Sequence, residues 1–483
     1  MITSRTSSLL FVAVTCLTLP VHSLTNYAND FVDPTYVLAK NYSTWTTPSQ
    51  ETILQWANDS TSGGPWSVTT KPYLAPSGDK HDYMSWAPYA WPDCTGVGNT
   101  TELTPQQIWT TCPYVTRDGQ FNPDGRDINN VGDFDSLANA VLYNSLAWAF
   151  TGSSLYSGRV ATFINAWFIN ADTYMNPNLN YGQMQRGPNG QTGSHTGLLD
   201  LKCMAKIASG ILVLRIGKAA EWTSDIDDQF VAWINKYIQW VTTASIALAE
   251  KAATNNHGSF YYNQLASLQI MANDNDGAEK TLDEYFTGIY MNQIAANGDQ
   301  PLESIRTRPY HYRAYNLAAM ITNARLGEYV GYHAWNKTTA AGVTIQAACD
   351  YAITKPAGDE TASELYPDVA AIASVYGDSG NKYTKYLVAS ESKQYVWDAN
   401  FFWNQPLTDS GFAASAPTSM SKAAGGTDGP SGTGTSTAPT GRSTVGTRPD
   451  NAALALATGS WGTWLMFYGA CTVVMGASFL EFL

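Results

Sequence analysis

Residues 254–269 read TNNHGSFYYNQLASLQ. They follow an amphipathic run that ends near Glu250, and they set two amides, an imidazole, a glycine and two tyrosines at a predicted loop-to-helix junction. Side chains at such a junction project from a rigid element yet escape the helix barrel, so they can reach a ligand in a groove. The plainer reading makes Asn256 an N-cap and His257 a satisfied surface histidine. The rest of the chain decides between the two.

Outward from this stretch the sequence reads as a series of helices. Residues 26–62 read as surface helices and turns rich in Tyr, Trp and Asn. Leu137, Val141, Leu142, Leu146 and Ala149 recur at helical spacing, and Thr151-Gly152 ends the run. A second helix is expected over 154–170, and a third over 198–216 with Leu201, Met204, Ile207, Ile211 and Leu214 on one face. Ser224 with Asp227 reads as a capping pair before 226–250, where Phe230, Ile234, Tyr237, Ile238 and Val241 keep a 3.6 period. Further helices are expected over 261–272, 278–296, 313–326, 339–353 and 382–402, and strand-like alternation is scarce. About ten helices with alternately short and long connections predict an all-α fold, an α/α toroid of stacked helical hairpins forming one large domain.

Three further stretches break the helical pattern. Residues 80–94, KHDYMSWAPYAWPDC, begin at Lys80 and are dense in aromatics. They are either a core plug or a wall whose Tyr83, Trp86, Tyr89 and Trp91 offer flat faces to sugar rings. Residues 181–200, YGQMQRGPNGQTGSHTGLLD, form a glycine-rich loop carrying Gln183, Gln185, Arg186 and His195, groups suited to hydroxyls and carboxylates. Residues 303–316, ESIRTRPYHYRAYN, pack Arg306, Arg308, His311, Tyr312, Arg313 and Tyr315 together. His81, His195, His257 and His311 fall one to each of the four polar stretches.

The ends read differently from the middle. Residues 1–23 hold an apolar run closed by small residues and read as a secretory signal. Residues 406–450 are a Ser/Thr/Gly/Pro-rich stalk, and 451–483 end in an apolar tail without Lys or Arg. That pattern predicts a glycosylphosphatidylinositol signal with attachment at Asn451, against the alternative of a tail-anchored helix. The mature chain is then extracellular and meets a membrane only through its lipid. Cys94, Cys112, Cys203 and Cys349 are an even set for an oxidising compartment, expected as two disulfides with Cys94–Cys112 as one. Asn41, Asn58, Asn99 and Asn336 are sequons. A formal net charge of −13 argues against nucleic acid as a partner. It does not exclude acidic glycans, because a locally basic groove can sit on an acidic protein.

Neither an HxxxH nor an HExxH zinc spacing occurs, so no metal or cofactor is expected. A glycoside hydrolase needs two carboxylates, for which Asp133, Asp135 and Glu303 are available, but 254–269 contains no acid. Asn, His, Arg and Tyr together suit another reaction. Removing the C5 proton of a uronic acid makes a carbanion beside a carboxylate, which demands donors that neutralise that charge. A tyrosine beside an arginine, its pKa lowered by the cation, can take the proton and return one to the leaving oxygen.

The strings NNHGSFYYNQ, ESIRTRPYHYRAYNLAAM, GDKHDYMSWAPYAWPD and QMQRGPNGQTG…GLLD resemble the alginate lyase family of polysaccharide lyases over roughly residues 71–402. The resemblance implies an α/α toroid that cleaves an acidic, uronate-containing polysaccharide by β-elimination, with Asn256 and His257 neutralising charge, Arg306 as the arginine and Tyr312 as the catalytic tyrosine. Arg308, Tyr310 and Tyr315 stand as alternatives for the last two roles. Lys80, Tyr83, Trp86, Tyr89, Gln185, Arg186, His195 and Arg308 are the expected substrate contacts. Alginate and β-linked glucuronan are both candidate substrates, and a monomer is expected. The competing readings are a non-catalytic cell-wall protein that binds acidic glycan and an inverting glycoside hydrolase.

Overall fold

A computed structural model describes residues 30–98, 103–190, 192–391 and 395–405. The expected signal, stalk and tail, with Asn99 and Asn451, lie outside the described residues.

Two kinds of helix alternate along the chain. Asn130–Thr151, Met204–Gly217, Asn256–Met271, Pro309–Val330 and Tyr366–Tyr376 are buried on nearly every side. Ser154–Ile164, Ser224–Thr243, Asn275–Thr287, Ile345–Ala352 and Lys382–Glu391 follow them in turn. Those of the second kind are amphipathic: Ser224–Thr243 buries only Phe230, Trp233, Ile234, Tyr237 and Val241. An amphipathic helix covers a core with one face, whereas a helix apolar all round must lie inside it. Each inner helix packs on the next, and the circuit returns through Ala399–Trp403 and Thr47–Asp59 to Asn130–Thr151. The outer helices pack against this ring. This is the α/α toroid expected from the sequence.

Local chemistry sets the boundaries. Gly152 ends its helix at φ 70° in the left-handed region, as Thr151-Gly152 predicts. The cap before Ser224 is Thr223, whose hydroxyl accepts from the Ile226 N–H, and not Ser224 itself. The single helix expected over 226–250 is broken at Ala244, where ψ is 133°. Just ahead of the break Thr242 and Thr243 donate their hydroxyls to the Ile238 and Gln239 carbonyls, a back-bonding that bends helices. The short helix that follows, Ser245–Lys251, buries Glu250.

Two small sheets carry the aromatic and glycine-rich stretches. β1 (Met84–Trp86) pairs in parallel with β4 (Tyr181–Met184), and β2 (Ala90–Pro92) pairs antiparallel with β3 (Tyr114–Thr116). Cys94 and Cys112 are disulfide-bonded beside the second pair. The expected second bridge is absent. Cys203 and Cys349 are free and buried, Cys203 donating to Asp135 at the start of one inner helix and Cys349 on an outer helix beside Tyr383 and Asp368. Asn41, Asn58 and Asn336 are exposed, as glycosylation requires.

Candidate active site

The site is built at the starts of two inner helices. Asn255 caps Asn256–Met271, its side chain accepting from the His257 N–H. The capping role is thus met one residue earlier, which leaves Asn256 for other work. Asn256 is 1% exposed and is held by Glu303, which accepts from its backbone N–H and from Nδ2, both at 2.7 Å. Asn256 Oδ1 is buried without a hydrogen-bond partner. Burial raises the Glu303 carboxyl above its ordinary value, against the two bonds from Asn256 and the nearby charge of Arg306 and His257.

The second start is that of Pro309–Val330. Pro309 has no N–H to satisfy, and the next two, of Tyr310 and His311, are accepted by the Glu360 carboxylate at 3.1 and 2.9 Å. This fixes the turn that carries Tyr312. The Arg306 guanidinium lies 3.8 Å from the centre of the Tyr312 ring and pairs through Nε and Nη2 with Asp118, at 3.3 and 2.7 Å. The Tyr312 hydroxyl meets that of Tyr89 at 3.1 Å. Burial is the largest influence on Tyr312 and raises its pKa; the hydrogen bond with Tyr89 adds to this, and Arg306 only partly offsets it. The lowered tyrosine pKa expected from the sequence is therefore not found, because desolvation outweighs the cation.

The alternative tyrosines point elsewhere. Tyr310 donates to the Ala362 carbonyl and meets the Tyr386 hydroxyl, and Tyr315 is packed between the His311 and Phe260 rings. Arg308 faces Glu364 at 3.7 Å, and His311 bonds the same carboxylate at 2.7 Å.

His257 and His195 share one carboxylate. Glu250 has a fully buried side chain, and its two oxygens meet His257 Nδ1 at 2.7 Å and His195 Nδ1 at 2.5 Å. Burial opposes ionisation of Glu250, but the two imidazoles outweigh it and hold the carboxyl below its ordinary value. The hydrogen bond to Glu250 in turn raises His195. With both Nδ1 atoms engaged, Nε2 is the ring nitrogen each histidine has left for a ligand.

Several expected contacts prove to be structural. Tyr83 is fully buried and donates to Asp200, and Trp86 lies beneath Arg186, whose guanidinium is 4.0 Å from its ring. Arg186 is itself buried and bidentate to Asp124. These three are core: Tyr83 is satisfied by Asp200, and Trp86 and Arg186 cover each other. Lys80 is exposed beside His81, which bonds the Tyr174 carbonyl away from the helix starts. Gln185 is exposed and donates to the Tyr114 carbonyl, and Gln183 bonds Asp200. Of the aromatic stretch, Tyr89 alone reaches Tyr312 among the described residues. Glu250, Asp118, Glu360 and Glu364 were not singled out from the sequence. Glu250, seven residues before His257 at the end of an amphipathic run, carried the best available signal.

A ring of paired helices with Asn, His, Arg and Tyr gathered at helix starts is the architecture of a polysaccharide lyase. The chain belongs to the alginate lyase family, whose profile matches residues 67–362. Its structure is similar to the crystal structure of an alginate lyase from Bacteroides ovatus, with TM-score 0.68 and 27% identity over 78% of this chain and 100% of that one. Alginate lyase A1-III complexed with a tetrasaccharide gives TM-score 0.42 at 13% identity, covering 71% of this chain and 90% of that one. Alginate lyase A1-III from Sphingomonas species A1 gives 0.38 at 14%, covering 69% and 81%. No curated protein matches the chain.

Proposed function

We propose that this lyase cleaves a polyuronate such as alginate or glucuronan by β-elimination, with Asn256, His257, Arg306 and Tyr312 as its working residues. The observation that carries the assignment is Arg306 lying on the Tyr312 ring beside the Glu303 that holds Asn256. Asn256 Nδ2 keeps one hydrogen beyond the one given to Glu303, and His257 keeps Nε2; these serve the uronate carboxylate as charge builds on it. Tyr312 starts the reaction carrying its proton. That proton passes to the glycosidic oxygen as the C5 proton arrives on the phenol, the C4–O bond breaks, and C4=C5 forms, so the tyrosine ends as it began. Arg306 stabilises the phenolate character that develops between the two transfers. Tyr89, bonded to the Tyr312 hydroxyl, orients it.

The test is to incubate the purified protein with a panel of polyuronates and follow both ultraviolet absorbance and reducing ends. A lyase gives the two together, because each cut leaves a conjugated C4=C5 bond. Reducing ends without absorbance mean hydrolysis, and neither signal means a binding protein. The composition of residues 1–23 and 451–483 supports secretion with a glycosylphosphatidylinositol anchor at Asn451. Release from membranes by a phosphatidylinositol-specific phospholipase tests this, and a tail still attached after treatment refutes it.

A further inference from the structure

We propose that His195, Glu250 and His257 form a site for a zinc-class divalent metal ion, and that occupation of this site switches the lyase off. The three ligand atoms lie within 4.8 Å of one another and come from three separate segments: the 3-10 turn His195–Leu201, the short helix Ser245–Lys251 and the start of Asn256–Met271. Two imidazoles and one carboxylate are the donor set that zinc takes where one coordination position is kept open. Glu250 has no exposed side-chain surface, so an ion on it is shielded from competing water, while His195, 46% exposed, provides the way in. Among the described residues Glu250 forms ion pairs with these two rings alone. No lysine or arginine among the described residues pairs with it.

The fit needs a small rearrangement. Zinc bonds of about 2.0–2.2 Å set neighbouring ligand atoms roughly 3.3 Å apart, whereas the present N···O separations are 2.5 and 2.7 Å. Each ring must draw back from its present oxygen by under about 1 Å, ligand atoms now up to 4.8 Å apart must close to that spacing, and each ring must free its Nδ1 lone pair. A neutral ring does so by carrying its hydrogen on Nε2, and a protonated one by releasing a proton to solvent. Either way His257 ends with a hydrogen on Nε2 and its Nδ1 fixed to the metal. The Nε2 hydrogen survives, but the ring that carries it is displaced by up to about 1 Å from its place against the substrate carboxylate, a shift of the size that costs about 10²-fold in rate; this switch-off rests on the catalytic role proposed for His257 above.

Calorimetric titration with zinc chloride, on protein first stripped with a chelator, tests the site without reference to activity. One ion per chain is expected, with His195→Ala weakening binding by about tenfold or more. Glu250→Gln should do the same, and circular dichroism checks that each variant folds. Absence of saturable binding overturns the site, as does zinc binding that neither substitution weakens. With polyuronate cleavage as a second readout, zinc should inhibit reversibly, and the chelator should restore turnover. Full activity on zinc-saturated protein overturns the switch. A protein that binds zinc but cleaves no polyuronate, metal-free or loaded, refutes the catalytic reading and the switch built on it, while the metal site stands.

Discussion

Replacing Tyr312 by phenylalanine removes a single oxygen from the site. That oxygen makes one hydrogen bond, to Tyr89 at 3.1 Å, worth about 0.5–1.5 kcal/mol. The ring stays, and with it the contact with Arg306 at 3.8 Å. The fold should therefore lose only about 2 °C or less in Tm. Turnover should fall by about 10²–10⁴-fold, the usual worth of a positioned proton-transfer group, equivalent to roughly 3–5 kcal/mol of barrier. Binding should be nearly unchanged, because the carboxylate-facing groups remain. Arg306→Ala should lower both binding and turnover, since it strips the cation from the ring and leaves Asp118 a carboxylate without its counter-charge. The assay is single-turnover elimination followed by absorbance, beside calorimetric binding of the same oligomer. Tyr89→Phe removes the same hydrogen bond but keeps the Tyr312 phenol, so it should cost no more than about tenfold. Wild-type turnover in Tyr312→Phe refutes the mechanism. Loss in Tyr310→Phe or Tyr315→Phe with Tyr312→Phe active refutes the assignment of the tyrosine, though not tyrosine chemistry itself.

Other consequences are open to direct measurement. Trp86→Ala should destabilise the fold by about 3–5 kcal/mol in denaturant titration, as a buried aromatic beneath Arg186, whereas a substrate wall would leave stability intact. Thiol labelling of residues 24–405, unfolded without reductant, should find Cys203 and Cys349 alone; no free thiol would restore the second bridge. The Glu250 carboxyl is held below its ordinary value, so its pairing contributes stability above about pH 4.3 and loses it as pH falls through the depressed value. His195 is raised by the same pairing, so its share is full below about pH 6.5 and is lost as pH rises through the raised value. The stability gap between the wild type and Glu250→Gln should thus be widest in the mildly acidic range and shrink on strong acidification and on alkalinisation, and a gap independent of pH would contradict the ion pairs.

Helices of both kinds were legible, inner ones such as Asn130–Thr151 and Met204–Gly217 included. Ser224–Thr243 buries one stripe and so writes a period into the sequence, while Tyr366–Tyr376, YPDVAAIASVY, is buried along most of its length, writes none, and was missed. The site divides along a similar line. Asn256, His257, Arg306 and Tyr312 stood out because polar groups clustered within short stretches. Their pairings with carboxylates did not, since Glu303, singled out only as a candidate acid, is 47 residues from Asn256 and Asp118 is 188 from Arg306. The aromatic stretch misled for a different reason. Composition marks Tyr83, Trp86 and Tyr89 alike, and only their partners far along the chain, Asp200, Arg186 and Tyr312, separate the two core rings from the one at the site.

The arginines of this site are already engaged: Arg306 with Asp118 and Arg308 with Glu364. A polyanion entering here works by ion exchange, trading internal carboxylates for its own. Each exchange returns little net free energy, since one contact replaces another of the same kind. Affinity must then accumulate along the polymer, through many weak exchanges at high local concentration. Short oligouronates should therefore be poor ligands even when they span the reacting bond, and added salt should loosen long chains far more steeply than short ones.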